Sequence, residues 1–492
     1  GGGLAGKSMT VEEITCPVQA AADCDPEGLA LLAPHRRYDW RTLHAHICGA
    51  ETKLRQAGIV EGDLTAIALP TGPALPILVM ALIRIGAVAF PINTRFPAVF
   101  LINILDGVRC RNIIVPYGAS IATVHAHLYG LAPHDLVEFP ENDRRAAPIP
   151  LRKPATIVLT SGSTGPPKAA LLSFGNHYYS ALRSNRNLPL AAGDRWLMSL
   201  PMYHVSGLGV MFRCLLAGAT VVFSGAKENI AQAIQKYEIT HVSLVATQLH
   251  RLMEEADGVA ALRRLKAILV GGGPIPESLM RRAHAAGLPL FTTYGLTEMA
   301  SQVATTRPGD PIEKLLSAGS PLHADTVRIS PEGEILVRGE TLFLGYVEGH
   351  EIIRPFTEDN CFATRDLGRL DADGYLHITG RKDNMFIAGG ENIQPECVEA
   401  ALCRLDDIVQ AVVVPVPHEE FGCTPVAFVR LKPDTALDPE RFSADLARAL
   451  PHFMIPRRYF PWPEQDPASD AKIARKDLAA LARRLMESSP WA

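Results

Sequence analysis

The chain has 492 residues, more than one ordinary hydrophobic core accommodates, so two or more domains are expected. Its net charge of −4 is spread along the sequence, which excludes a basic nucleic-acid-binding surface. The nine cysteines are scattered, odd in number and without a CxxC pair, which indicates reduced thiols and a cytoplasmic location rather than a disulfide or zinc framework.

The first half of the chain alternates between predicted helices and strands. Apolar spacings of three and four predict a helix at 40–58, followed by a strand at 64–69, a helix at 75–85 and a strand at 87–91. Three prolines and Arg84 interrupt this apolar region, so no membrane span is expected there. Such alternation predicts a parallel sheet covered by helices on both faces.

The same alternation returns after a proline-rich connection at 131–154, short antiparallel strands are predicted from Thr326 onward, and a last α+β unit follows. The predicted fold class is α/β: a large N-terminal domain of two doubly wound α/β subdomains plus a small antiparallel β subdomain, then a small α+β C-terminal domain. We place these domains at 9–380 and 384–492, joined by 381–383, and interpret residues 1–8 as a remnant ahead of Met9.

A loop of hydroxyl groups and glycines follows a predicted strand that ends at Leu159. It consists of Thr160, Ser161, Gly162, Ser163, Thr164 and Gly165, and it is closed by Lys168. Glycines let backbone N–H groups converge on an anion, while hydroxyls and a lysine add donors and positive charge. Since Ser173 is a predicted N-cap, the loop is expected between a strand and a helix, which favours a phosphate cradle over a flexible linker.

This loop is not a Walker loop, because Pro166 and Pro167 separate Gly165 from Lys168. The literal Walker pattern in GGGLAGKS, residues 1–8, has no strand before it and is left out of the fold argument.

Further candidate residues follow other predicted strands. His204 comes after one such strand, where a lone histidine is more often structural than functional. Arg213 lies among apolar residues of a predicted helix; it is either solvent-facing, the default, or an anchor that grips a carboxylate through two hydrogen bonds. Asp366 and Arg381 are either solvated turn residues or, jointly, readers of a ribose diol.

Taken together, these motifs resemble those of the adenylate-forming superfamily, which includes acyl- and aryl-CoA ligases. The resemblance covers the cradle, the Tyr203-His204 pair, the sequence YGLTE at 294–298, the sequence TRDLG at 364–368, and the C-terminal sequence DAKIAR at 470–475. The last of these has Ala471 where the family has glycine before its lysine, here Lys472.

The resemblance implies that ATP, Mg²⁺ and CoA are used. Catalytic roles would fall to Lys472, His204, Glu298 and Thr164, of which Glu298 and Thr164 would hold the metal. Nucleotide contacts would come from the cradle residues with Lys168, and from Gly272, Gly273, Tyr294, Gly295, Thr297, Asp366 and Arg381. Gly389 and Gly390 would line the CoA channel, and Asp383 would be the hinge about which a mobile C-terminal domain turns.

Within the superfamily the chain resembles the o-succinylbenzoate–CoA ligases of menaquinone biosynthesis, through LPMYHVSG at 200–207, Arg213 and YGLTEMASQ at 294–302. This branch implies that the acid lies near His204, Arg213, Ser301 and Gln302, is activated as an acyl-adenylate with release of diphosphate, and is then transferred to CoA with release of AMP.

Two alternatives stay open from the sequence. One is another aryl- or acyl-CoA ligase; the other is a stand-alone adenylation enzyme that loads a carrier protein, or an acyl-AMP-binding protein without turnover. The expected partners are a small-molecule acid, ATP and CoA, with no nucleic acid and no membrane span. The oligomeric state is not determined by the sequence, and a homo-oligomer is one alternative.

Overall fold

The computed structural model describes residues 12–95, 98–116, 127–131, 148–160, 167–388, 391–418, 422–463 and 474–488. The first elements are β1 (Glu13–Thr15), α1 (Pro17–Cys24), β2 (Leu29–Ala33), β3 (Arg36–Asp39), α2 (Trp40–Gln56), β4 (Leu64–Ile67), α3 (Ala74–Ile85), β5 (Val88–Pro91), α4 (Ala98–Gly107), β6 (Asn112–Pro116), β7 (His127–Leu131), β8 (Pro148–Pro150), β9 (Pro154–Thr160), β10 (Lys168–Ser173) and α5 (Phe174–Asn187).

The middle of the chain contributes β11 (Arg195–Leu197), α6 (Val205–Ala217), β12 (Thr220–Val222), α7 (Ile230–Lys236), β13 (His241–Leu244), α8 (Ala246–Glu254), α9 (Gly258–Leu262), β14 (Ala267–Val270), α10 (Glu277–Ala285), β15 (Leu290–Leu296), β16 (Ser301–Thr305), α11 (Ile312–Leu315), β17 (Ser320–Pro321), β18 (Val327–Ile329), β19 (Glu334–Val337), β20 (Gly345–Glu348), β21 (Glu351–Ile353), β22 (Phe362–Leu370) and β23 (Leu376–Arg381). The last part holds β24 (Phe386–Ala388), β25 (Glu391–Ile393), α12 (Pro395–Leu402), β26 (Ile408–His418), β27 (Gly422–Leu431), α13 (Pro439–Leu446), β28 (Tyr459–Pro461) and α14 (Arg475–Ser488).

Two large sheets form the N-terminal part, as the alternation predicted. The first has the order β21-β20-β10-β9-β5-β4-β6-β7 and the second β17-β16-β15-β14-β13-β11-β12-β2-β3. Each has a parallel centre, but β10, β20 and β21 are antiparallel additions to the first sheet, and β16, β17 and β3 to the second. The predicted parallel arrangement therefore holds for the centres of both sheets, and antiparallel strands extend them.

The two halves are also not strictly successive along the chain. The hairpin of β2 and β3 precedes the first sheet in sequence but pairs with β12 at the edge of the second sheet. Helix α5 contacts β9 and β10 of the first sheet and β16 of the second. A single large apolar cluster, which includes all of the buried face of α3, joins the two halves.

The short strands predicted after Thr326 form an antiparallel sheet with the order β18-β19-β22-β23. The C-terminal unit consists of the three-stranded sheet β26-β27-β28, with α12 and α13 in one apolar cluster and α14 in another. This architecture confirms the predicted fold class. No helix in the described ranges has the length and apolarity that a membrane crossing requires.

Candidate active site

The cradle sequence connects two antiparallel strands. Thr160 ends β9 and pairs with Lys168, which begins β10. The prediction that the loop lies between a strand and a helix was wrong, because the buried run 169–173 pairs with β9 and β20 as a strand before the helix begins. Ser161, Gly162, Ser163, Thr164 and Gly165 lie outside the described residues.

The predicted N-cap of the following helix is confirmed. The Ser173 hydroxyl accepts a hydrogen bond from the Asn176 backbone N–H at 3.1 Å, and the Asn176 side chain accepts one from the Ser173 N–H at 2.7 Å. This reciprocal capping satisfies donors at the first turn of α5 and fixes where β10 ends.

Lys168, Tyr346 and Glu298 come together beside the cradle. The Lys168 ammonium lies 4.9 Å from the Tyr346 ring centroid, and the Tyr346 hydroxyl donates to Glu298 Oε1 at 2.5 Å. Glu298 is buried, and desolvation raises the pKa of its carboxyl group although the Tyr346 hydrogen bond opposes this shift. A desolvated carboxylate at this position would be stabilised by a nearby cation.

These residues fit a magnesium ion that is shared with substrate phosphates. Mg²⁺ prefers oxygen ligands and is usually held by one or two carboxylates together with phosphate oxygens. In the described part of the chain no cluster of three or more His, Cys, Asp or Glu side chains could hold a metal ion. Glu298 would supply the carboxylate; Thr164, the other predicted ligand, is outside the described residues.

The candidate ribose residues form a half-buried hydrogen-bonded group. Asp366 on β22 pairs with Arg381 on β23, and Arg381 Nη1 donates to Asp366 Oδ1 at 2.7 Å. The Tyr294 hydroxyl donates to Asp366 Oδ2 at 2.5 Å. Burial raises the pKa of Asp366, while Tyr294 and Arg381 act to lower it. Asp366 and Arg381, which the sequence assigned to the ribose only as a pair, are thus hydrogen-bonded to each other.

The turn that carries Tyr294 and Glu298 depends on glycine and on strained backbone. A Cβ at Gly295 would lie 2.0 Å from the Ser301 carbonyl oxygen, so no side chain fits there. Ala300 and Ser301 both have positive φ, 54° and 107°, which costs free energy in non-glycine residues and often marks functional sites. The Ser180 hydroxyl donates to the Ala300 carbonyl at 2.8 Å and holds this turn in place.

Gly272 also has positive φ, at +81°, and follows the carboxyl end of β14 together with Gly273. Thr297 follows the neighbouring strand β15, in a short 3₁₀ helix with Glu298. Ligands of open α/β sheets bind in the crevice at the carboxyl ends of such strands. The placement therefore agrees with the predicted nucleotide contacts, which remain predictions residue by residue.

The candidate hinge residue Asp383 is tied to the same group. Arg365 Nη1 donates to Asp383 Oδ1 at 2.9 Å, and Arg381 Nη2 donates to Asp383 Oδ2 at 3.3 Å. The Gln394 side chain in turn donates to the Arg381 carbonyl at 2.9 Å. Gly389, Gly390 and Lys472 lie outside the described residues, so their predicted roles receive no structural account.

On the acid side of the site, His204 is the N-cap residue of α6 and its ring packs against Tyr203, with centroids 4.8 Å apart. His204 is exposed to solvent, while the protein atoms around it lower its pKa by partial desolvation. A neutral imidazole follows at neutral pH.

Arg213 is buried, and the default expectation of a solvent-facing arginine was wrong. This residue of α6 is 2% exposed. Its guanidinium Nη2 donates a long hydrogen bond to Ser301 Oγ, at 3.4 Å. Nη1 has no hydrogen-bond partner among the described residues. Burial lowers the pKa of Arg213 to about 10, which still leaves it charged at neutral pH. A buried cation of this kind requires an anion, and a ligand carboxylate would supply it.

Unlike Ser301, Gln302 makes its side-chain hydrogen bonds to residues other than Arg213. Its amide nitrogen donates to Thr305 Oγ1 at 2.9 Å and to Thr293 Oγ1 at 3.3 Å. Gln302 therefore bridges β15 and β16, and its predicted contact with the acid remains a prediction. Ser301 is the residue of this pair that reaches the guanidinium.

The nucleotide-side and acid-side groups are connected through Glu298 and the turn that follows it. The charges of Asp366 and Arg381 both act on the carboxyl group of Glu298, and the turn after Glu298 carries Ser301 to Arg213. Two surface cavities of about 340 and 610 Å³ in the described structure lie elsewhere, beside Lys153 and the amino ends of β4 and β5, and include none of the candidate residues.

Sequence reasoning missed two aromatic residues, Tyr346 and Trp196. Tyr346 on β20 links Lys168 to Glu298, and the Trp196 ring on β11 lies 4.9 Å from the Arg213 guanidinium carbon. Neither lies in a motif of chemically reactive residues. Only the long-range strand pairing brings them to the site.

Comparison with known proteins shows similarity to AMP-binding enzymes in both the N-terminal and the C-terminal parts of the chain. The profile of the family described as AMP-binding enzyme matches residues 18–347, and that of the AMP-binding enzyme C-terminal domain matches residues 397–468. The 2-succinylbenzoate–CoA ligase of Escherichia coli (strain K12) is 33% identical over 458 residues, which cover 93% of this chain and 96% of that protein.

Solved structures are similar over nearly the whole chain. The o-succinylbenzoate CoA synthetase (MenE) of Bacillus subtilis in complex with the acyl-adenylate intermediate OSB-AMP has a TM-score of 0.84 and 28% identity, covering 95% of this chain and 98% of that chain. The same synthetase in complex with ATP and magnesium ion also has a TM-score of 0.84 and 28% identity, covering 95% and 99%.

Proposed function

Because the chain belongs to the AMP-binding enzyme family, we propose that it is an ATP-dependent acid–CoA ligase whose acid is 2-succinylbenzoate. A relative with this activity covers almost the full chain, and the fold resembles a synthetase that binds the corresponding acyl-adenylate. The place in menaquinone biosynthesis that the sequence resemblance implies is part of the same proposal.

The observation that carries the choice of acid is the buried guanidinium of Arg213. Among the described residues it has no carboxylate partner, and its polar contact with Ser301 is long. A dicarboxylic acid would place one carboxylate against Arg213 and leave the other free to react. A monocarboxylic acid would satisfy only one of these two requirements.

The proposed reaction has two steps. First, an oxygen of the succinyl carboxylate attacks the α-phosphorus of ATP, the bond from that phosphorus to the bridging oxygen breaks, and diphosphate leaves. Then the sulfur of CoA attacks the acyl carbon, the bond to the AMP oxygen breaks, and AMP leaves with the thioester formed.

The residues divide between these steps. The first step brings together two anions, so positive charge must be present in the transition state. Lys168 and Lys472 would supply it from the two domains, and Mg²⁺ held beside Glu298 would neutralise phosphate oxygens when bound. Asp366 and Arg381 would orient the ribose. Gly389 and Gly390 would admit CoA after the small domain turns about Asp383.

The direct test is turnover of 2-succinylbenzoate with ATP, Mg²⁺ and CoA. Diphosphate release reports the first step, and loss of the CoA thiol reports the second. The matched control acid is 4-oxo-4-phenylbutanoate, which lacks only the ring carboxylate. We expect both signals with the diacid and a much higher KM with the control. Turnover of other acids in preference would identify another acyl- or aryl-CoA ligase, and diphosphate release without thiol loss would indicate transfer to a carrier protein.

A further inference from the structure

The Arg213 guanidinium is contacted by an aromatic ring that the reaction does not otherwise need. Trp196 on β11 is fully buried, and its ring centroid lies 4.9 Å from the Arg213 guanidinium carbon. This distance is within the range of a cation–π interaction, which is strongest with tryptophan and when the cation is desolvated.

The indole is itself held in one orientation. Trp196 Nε1 donates to Ser243 Oγ at 3.2 Å, and the ring stacks on His241 with centroids 5.2 Å apart and an angle of 29° between the planes. His241 in turn bonds through Nδ1 to Thr240 Oγ1 at 2.7 Å. Burial lowers the pKa of His241 to about 4, so the ring is neutral and adds no second positive charge beside Arg213.

Ion pairing does not fix the guanidinium. No carboxylate in the described residues pairs with Arg213, one terminal nitrogen is unpartnered, and the other reaches Ser301 only at 3.4 Å. The space is also tight, since a Cβ on Gly209 would lie 2.6 Å from Arg213 Nη2. With no ion pair and only one long hydrogen bond among the described residues, the guanidinium has the Trp196 ring beside it, its carbon 4.9 Å from the ring centroid.

We propose that Trp196 is a positioning residue that sets the preference for dicarboxylic acids by holding the Arg213 guanidinium ready for the second carboxylate. This inference rests on the proposed function. It differs from a packing role because it predicts an effect on discrimination between acids, not on turnover in general.

The test compares Trp196→Leu and Trp196→Phe with the unaltered enzyme on 2-succinylbenzoate and 4-oxo-4-phenylbutanoate. Loss of a desolvated cation–π contact corresponds to roughly 30-fold in an equilibrium constant. We expect Trp196→Leu to raise the KM for the diacid by about that factor and to change kcat, the KM for ATP and the KM for the monoacid little. Trp196→Phe, which keeps a weaker ring face, should lose about threefold in diacid preference.

Trp40 provides a matched control, because it is an equally buried indole in the same apolar cluster, at the start of α2. Trp40→Leu should lower thermal stability without changing the preference between the acids. In an Arg213→Met background, Trp196→Phe should have no effect on preference, since the cation is gone.

The proposal is overturned if both Trp196 variants leave the preference unchanged, or if they weaken both acids equally. It is also overturned if the effect of Trp196→Phe persists without Arg213. Failure of the unaltered enzyme to use 2-succinylbenzoate would instead refute the proposed function, so the two failures are distinguishable.

Discussion

Replacement of Arg213 by methionine should make the free protein more stable and the enzyme much less active on its diacid. Burial lowers the pKa of Arg213 from 12.5 to about 10, and one pH unit corresponds to 1.36 kcal/mol, so charging this side chain in the fold costs roughly 3 kcal/mol. The cation–π contact with Trp196 offsets about 2 kcal/mol of that at most. Methionine has a similar length and no charge, so we expect a gain of about 1–3 kcal/mol.

The sign of the pH dependence follows from the same shift. Because the folded pKa lies below the unfolded one, the unfolded state binds this proton more tightly. The cost is therefore fully present below pH 10 and disappears only as the pH rises from about 10 toward 12.5. Melting temperatures of the two proteins at pH 7.5 should thus differ by the full amount, which corresponds to a few degrees.

The loss of activity should be selective. Removal of one partner of a buried, hydrogen-bonded charge pair costs about 2–5 kcal/mol. At ~3 kcal/mol, kcat/KM for 2-succinylbenzoate falls about 150-fold. For 4-oxo-4-phenylbutanoate, which has no second carboxylate, the change should stay below about threefold. A diphosphate-release assay measures both values.

Arg213→Lys is the informative control, because it retains the charge but lacks the planar fork that grips a carboxylate. Arg213→Lys should be less active on the diacid than the unaltered enzyme and less stable than Arg213→Met. Equal losses on both acids, or a lower melting temperature for Arg213→Met, would mean that Arg213 serves packing rather than substrate binding.

Three further predictions test other parts of the site. Lys472→Ala should slow acyl-adenylate formation by ~100- to 1,000-fold but spare thioester formation from supplied adenylate; equal losses in the two half-reactions would contradict this division. Tyr346→Phe removes the donor to Glu298 Oε1 but keeps the ring beside Lys168. The Mg²⁺ concentration for half-maximal activity should rise about tenfold, and an unchanged concentration would exclude a role of the Tyr346 hydroxyl in metal binding. Burial lowers the pKa of His177 to about 3, so the unfolded state is protonated first and stability falls as the pH drops from 6.5 toward 3. The melting temperature of His177→Gln should decline less over this pH range, and an identical pH profile for the two proteins would contradict the role of His177.

Local sequence signals predicted the elements but not their partners. The helix predicted at 40–58 and the strand predicted at 87–91 correspond to Trp40–Gln56 and Val88–Pro91, because apolar spacing depends on near neighbours. The pairing of β2 with β12 joins segments that are about 190 residues apart. The antiparallel return of β10 on β9 depends on backbone hydrogen bonds that no local period encodes, so it was mistaken for the approach to a helix.

For the site, sequence motifs identified the charged and glycine residues, but not their burial or neighbours. Arg213 lies among apolar residues, a pattern that is compatible with a solvent-facing or a buried side chain, and only tertiary packing determines which. The family resemblance assigned both Ser301 and Gln302 to the acid, yet successive residues of a strand reach different surroundings. Tyr346 and Trp196 act through ring faces and hydroxyl geometry, which short motifs do not reveal.

Arg381 links two residues to which the sequence resemblance assigns different roles. Arg381 donates to Asp366, the candidate ribose reader, and to Asp383, the candidate hinge. Each oxygen of Asp366 accepts one hydrogen bond, from Arg381 or from Tyr294, and keeps a second acceptor site with which a ribose hydroxyl could bond. With Asp366 reading the ribose, as proposed, the nucleotide would lie one arginine side chain away from Asp383, the proposed hinge.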